Sequence, residues 1–116
     1  MSIPPKHNYR FYEGDDSEIV LRYKDSTGLP IDLSLDTLLI HVRDLDTNNL
    51  IFSLIGTVDV LITNQVVFNI TSTQSADLAD GDVKAYCYDV QRTYNSGSSV
   101  ETILNGLMTF YKEVTV

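Results

Sequence analysis

Apolar side chains recur at every second position through most of the chain, the period of a pleated strand with one face turned inward. Ile19, Leu21 and Tyr23 alternate with Glu18, Arg22 and Lys24, which predicts a half-buried strand over residues 18–24. Asp25-Ser26-Thr27-Gly28 reads as a turn, and residues 29–33 restart the chain in extended form. Leu38, Ile40 and Val42 against Leu39, His41 and Arg43 predict a second long strand. Residues 44–49 turn it back, and Leu50, Phe52 and Leu54 mark its hairpin partner. Val58, Val60 and Ile62 predict another strand, Asn64-Gln65 a turn, and Val66, Phe68 and Ile70 the strand after it. β-branched and aromatic residues dominate these runs, as a half-buried pleated surface favours.

One segment breaks the period. Thr71-Ser72-Thr73-Gln74 has capping-box spacing, Ala76, Leu78 and Ala79 follow, and Gly81 stands where a helix would end. A helix of at most two turns over 72–80, crossing between sheets, is expected. The strand at 83–92 then carries Tyr86, Tyr88 and Val90 on one face. These tyrosines are either stacked core aromatics or part of a tyrosine corner after Leu78. Asn95-Ser96-Gly97 signals a turn, residues 100–104 pair back, and Asn105-Gly106 bends the chain into a last strand over 107–116. The last three of these strands are expected in one sheet. About eight short strands with frequent turn signals point to a two-sheet sandwich. An open barrel competes, and period alone does not separate the two.

Composition narrows the class. At 116 residues, 43% hydrophobic and 21% charged, the chain is one ordinary globular domain and not a disordered segment. A formal charge of −8 argues against a surface built to neutralise phosphates, and favours solubility and a basic partner. The single cysteine, Cys87, allows no intramolecular disulfide. No apolar run approaches the ~20 residues of a membrane span. The first residues lack a signal-peptide core, so synthesis in the cytoplasm is expected. Residues 1–12, with Pro4-Pro5, read as an extended arm preceding a sandwich domain over 13–116. Ile3, Pro4, Pro5, Tyr9, Phe11 and Tyr12 are its interface candidates, with Tyr9, Phe11 and Tyr12 equally readable as the first core strand. The arm (Ser2 to Arg10) is expected to reach a neighbouring subunit and to be dispensable for folding.

Candidate chemistry is sparse. Asp44, Asp46 and Asn48 have the alternate-oxygen spacing that begins a calcium loop. Asn49 and Ile55 stand where the loop glycine and the bidentate glutamate belong, and Asp and Asn in a hairpin turn need no metal. Cys87 lies mid-strand with parity opposite to its flanking tyrosines, and His41 lies on an outward face beside Arg43. Nothing in their spacing brings thiol and imidazole together as nucleophile and base. With His7 in the arm and no phosphate loop, nucleophile elbow or dinucleotide fingerprint, no catalytic residue and no cofactor are assigned, and an enzyme is not expected.

The order of features resembles a family of tailed-phage virion domains, the N-terminal domain of the siphophage baseplate upper protein and its relatives. The elements that carry the resemblance are Gly14-Asp15, the run Gly28-Leu29-Pro30-Ile31-Asp32-Leu33, and Ile40-His41-Val42-Arg43. Thr73 to Gly81, Tyr86-Cys87-Tyr88-Asp89-Val90, Thr102 to Gly106 and Val114-Thr115 follow, so the match spans about residues 13–115. The resemblance implies an immunoglobulin-like all-β sandwich of seven to nine strands with one short helix near 72–80. It implies a non-enzymatic structural protein of the virion, an assembly or adaptor subunit of the tail or baseplate. Its partners would be other virion proteins and further copies in a symmetric assembly, with neither nucleic acid nor membrane. Relatives continue into a helical linker and a receptor-binding-protein attachment region, whereas these residues run to Val116, which makes a stand-alone subunit the expectation. A capsid-decorating protein of the head surface is the alternative, and a calcium- or carbohydrate-binding module a further one.

Overall fold

The computed structural model describes residues 5–79, 81–94 and 99–112. Its strands are β1 (Tyr9–Tyr12), β2 (Ser17–Arg22), β3 (Thr37–Asp44), β4 (Leu50–Ile55), β5 (Thr57–Val58), β6 (Gln65–Ile70), β7 (Val83–Thr93) and β8 (Val100–Tyr111), with one helical turn, α1 (Ser72–Ser75), between β6 and β7. They form a five-stranded sheet in the order β1-β8-β7-β3-β4 and a three-stranded sheet in the order β2-β6-β5. The expected all-β two-sheet sandwich is what the chain forms. Its connectivity is the immunoglobulin type. β3, β4, β7 and β8 take the places of strands C, C′, F and G, and β2, β5 and β6 those of B, D and E. β1 adds to β8 in parallel.

The alternation read from sequence places the core. Leu38, Ile40 and Val42 from β3, Val66, Phe68 and Ile70 from β6, and Tyr86, Tyr88 and Val90 from β7 are all buried between the sheets. Ile19, Leu54, Met108 and Phe110 complete the layer, and Leu33 reaches it from the loop before β3. Below this apolar layer β7 places a fourth inward residue, Arg92. Its guanidinium lies 2.7 Å from the Asp36 carboxylate and 4.2 Å from the Tyr94 ring centroid. A charge so enclosed requires its partner, because leaving either alone would cost about 3–5 kcal/mol.

Three expectations are corrected. The strand expected through Val58, Val60 and Ile62 ends at Val58. Asp59 Oδ1 accepts the Leu61 and Ile62 N–H groups, both at 2.8 Å, and this local bonding displaces the ladder. Val60 and Leu61 are left 89% and 90% exposed. The helix expected over 72–80 is only Ser72–Ser75. Its capping box is present, Thr71 with Gln74, but Ala76 returns to extended backbone and Asp77 turns left-handed at φ 58°. Gly81 therefore belongs to the turn into β7 and is not a helix C′ residue.

The two strands expected at 100–104 and 107–116, with a bend at Asn105-Gly106, are one continuous strand over the described residues, paired with β7 throughout. Both β7 and β8 lie in the large sheet. The phase break in the sequence is a β-bulge: Val90 and Gln91 oppose Leu104 and Thr102, leaving Ile103 as the extra residue, buried. The Asn95-Ser96-Gly97 turn and residues 113–116 lie outside the described residues.

The corner joining the sheets is closed by hydrogen bonds between distant segments. Ser75 Oγ donates to the Asp15 carbonyl at 2.9 Å, the Ser72 N–H to Asp16 Oδ1 at 2.6 Å and the Ala79 N–H to Glu13 Oε2 at 3.1 Å. Tyr86 Oη donates to the Leu78 carbonyl, so the tyrosine corner is formed. Replacing Tyr86 by Phe keeps the ring and strands the Leu78 carbonyl. The expected loss is about 1–2 kcal/mol, read as a lower urea midpoint at unchanged slope.

Candidate functional site

The outer face of the large sheet brings several polar side chains into adjacent rows. His41 stands opposite Asp89 across β3 and β7, and Asp89 opposite Asn105 across β7 and β8. The next row is Arg43, Cys87 and Leu107. Residues 5–8 cross the end of these rows, and together they border a shallow cavity of about 630 Å³ whose walls include Lys6, Asn8, His41, Arg43, Cys87 and Asp89.

Pairing thus brings Cys87 and His41 onto one face of adjacent strands, a proximity that spacing alone does not reveal. Their bonding goes elsewhere. The Cys87 thiol donates to the Arg43 carbonyl at 3.5 Å, and His41 Nδ1 faces Asp89 Oδ1 at 3.6 Å. Gln91 Nε2 reaches the other Asp89 oxygen at 3.4 Å. The arrangement is an imidazole–carboxylate pair with a separate thiol, whereas nucleophilic catalysis needs base and thiol joined. Among the described residues no three His, Cys, Asp or Glu side chains converge as metal ligands would.

The Asp44–Asn48 turn uses its oxygens internally. Asp44 Oδ1 accepts the N–H groups of Asp46 and Thr47 at 2.8 and 3.1 Å, and Oδ2 accepts Lys84 Nζ at 3.0 Å. The Lys84 hydrogen bond, with those two backbone donors behind it, lowers the Asp44 pKa to about 2. Asp46 and Asn48 are exposed, with Asn48 in the left-handed region at φ 61°. Bound calcium would have to displace the lysine.

The arm candidates divide. Ile3 and Pro4 lie outside the described residues. Residues 5–12 do not extend away from the body. They lie along β8, with the Asn105 N–H donating to the Pro5 carbonyl at 3.2 Å, the His7 N–H to the Asn105 carbonyl at 2.9 Å and the Leu107 N–H to Asn8 Oδ1 at 3.0 Å. β1 continues this line. Its Tyr9 ring packs 5.6 Å from Tyr88, and Phe11 packs 5.6 Å from Phe110, while Tyr12 is exposed. Of the two readings of these aromatics, Tyr9 and Phe11 belong to the core margin and Tyr12 to the surface. The Tyr88 phenol donates to the His7 carbonyl, and burial, helped by the neighbouring Tyr9, raises its pKa well above the usual tyrosine value. Removing residues 5–10 would therefore strip a half-buried aromatic and an acceptor, so these residues serve as a structural edge of the large sheet, while residues 2–4 lie outside the described residues.

Gly106 makes the approach possible. A Cβ there would strike the His7 carbonyl, so Gly106 is a site of close backbone passage and not of a bend. A second concavity, of about 1150 Å³, opens at the end of the sandwich between β2 and β8 and is walled by Leu21, Tyr23, Ile31, Val66, Ile103 and Leu104. No protein-family model matches the chain, and no curated protein matches its sequence.

Two substitutions test these geometries. Gly106→Ala should lift residues 5–8 off β8, costing about 1–3 kcal/mol and speeding hydrogen exchange at the His7 and Asn105 amides; unchanged exchange would refute the close passage. Lys84→Met should move the Asp44 titration, followed by carboxyl carbon NMR, upward from about 2 toward its ordinary 3.8. Because the folded value is the depressed one, the stabilisation by Asp44 is complete above about pH 4 and is lost as pH falls toward 2.

Proposed function

We propose that the protein is a non-enzymatic structural subunit of a tailed-phage virion, acting in assembly of the tail or baseplate. The observation that carries this reading is where the resembling motifs fall in the fold. Gly14-Asp15 is the turn bonded to α1, with Gly14 at φ 79°. Gly28 opens the segment that ends in the fully buried Leu33. Leu78 and Tyr86 make the corner, and Gly106 admits residues 5–8. An ordered series of individually weak motifs thus coincides with the joints of the sandwich, as it would if the resemblance reflects a shared architecture.

The surface supports a role in shape rather than reaction. Among the described residues the most exposed large apolar side chains, Val60 and Leu61, are presented on a loop held by Asp59. Many copies in a symmetric particle would let small contacts of this kind act together.

The test is location in particles of the phage that encodes the chain. Antibody labelling and quantitative mass spectrometry of purified virions should find it at the tail, in a low copy number set by rotational symmetry. A copy number on the order of hundreds would transfer it to the head surface as a decorating protein. Absence from washed particles would overturn the virion reading altogether.

A further inference from the structure

We propose that β4 is a homodimerisation edge, to which a second copy of this chain adds its own β4 antiparallel about a two-fold axis at Ser53. The inference is independent of the virion reading and stands on the edge itself. β4 ends the large sheet and pairs with β3 alone among the described residues. The Gly56 N–H donates to the Leu38 carbonyl at 2.8 Å. By antiparallel alternation Leu54 and Phe52 also bond inward to β3, so the N–H and C=O groups of Ser53 and Ile55 face the open side. In the monomer this row is left to water, and it is the template on which another strand can pair.

The other sheet edges carry the usual protection. β2 has Glu18 and Arg22, β1 is four residues long with Arg10, and β5 has two residues. β4 reads Leu-Ile-Phe-Ser-Leu-Ile, with neither charge nor proline in a chain that is 21% charged. Ile55 is 75% exposed and Leu50 50% exposed.

Self-complementarity selects the occupant. From Ile51 to Ile55 the strand has the same apolar pattern in both directions about Ser53. A reversed copy sets Ile51 against Ile55, Phe52 against Leu54 and Ser53 against itself, which an isologous contact requires. Charge agrees: two copies at −8 repel, and an edge without charge is where they can approach, whereas a basic partner finds no carboxylate on this strand to pair with. The bulge that makes Ile51 the extra residue opposite β3 bends the start of the strand. The ladder is therefore short and the dimer reversible.

Sedimentation equilibrium of the full chain tests this. The wild type should dimerise in the range of roughly 100 µM, more tightly at higher salt as screening relieves the repulsion. Ile55→Lys, at an exposed position, should weaken association at least about tenfold with unchanged circular dichroism and melting. Ser53→Cys in a Cys87→Ala background should give a disulfide-linked dimer on oxidation, because directly opposed residues of a bonded pair sit about 5.5 Å apart. A wild type still monomeric at about 1 mM, a dimer indifferent to Ile55→Lys, or a dimer that Ser53→Cys fails to cross-link would overturn the proposal.

Discussion

Four side chains at alternate positions of β7 organise the molecule, because the pleat turns all of them into the space between the sheets. Tyr86 fastens the corner from the small sheet through the Leu78 carbonyl, and Tyr88 fastens residues 5–8 through the His7 carbonyl. Val90 is fully buried, and Arg92 closes the far end against Asp36 and the Tyr94 ring. Each phenol has an apolar body for the core and one polar atom that needs a partner. That requirement ties the neighbouring loops to the strand. A shift of β7 by one residue would turn all four outward and release corner, edge strand and buried ion pair together.

The acidic composition is understood differently once the turns are seen. Asp25 accepts from Thr27 and from the Leu29 N–H, Asp32 from the Ser34 N–H, Asp44 from Asp46, Thr47 and Lys84, and Asp59 from Leu61 and Ile62. In all four the pKa is lowered, with hydrogen bonds to the ionised carboxylate as the leading cause. These carboxylates serve as turn formers, which gives four of the sixteen acidic side chains a local structural role beside any attraction for a basic partner. One of them also explains the exposed Val60 and Leu61, since the Asp59 turn converts what would have been an alternating strand into a loop.

The outer face shows how little proximity means without bonding. His41, Cys87 and Asp89 gather on three adjacent positions of a sheet surface, yet the thiol serves a carbonyl and the imidazole faces a carboxylate. Strand addition requires only backbone groups and compatible side chains, and β4 supplies both.

The period of two by itself determined the all-β class, the inward residues of β2, β3, β6 and β7, and the β3–β4 hairpin, because alternation and turn chemistry are local properties. The capping box was also legible, as residues with a fixed offset, whereas the tyrosine corner was one of two readings that the Leu78 hydrogen bond decided. Tertiary structure alone decided what depends on distant partners. Asn105-Gly106 has the composition of a bend, but continuous pairing with β7 and the passage of the His7 carbonyl keep it extended. Likewise the helical turn stops at Ser75, whose hydroxyl is engaged with the Asp15 carbonyl, and Tyr9 and Phe11 pack against the core margin because β8 offers residues 5–12 an edge. The physical reason is the same in each case: a backbone group takes whichever partner the assembled fold places within reach, and residues remote in the chain supply that partner.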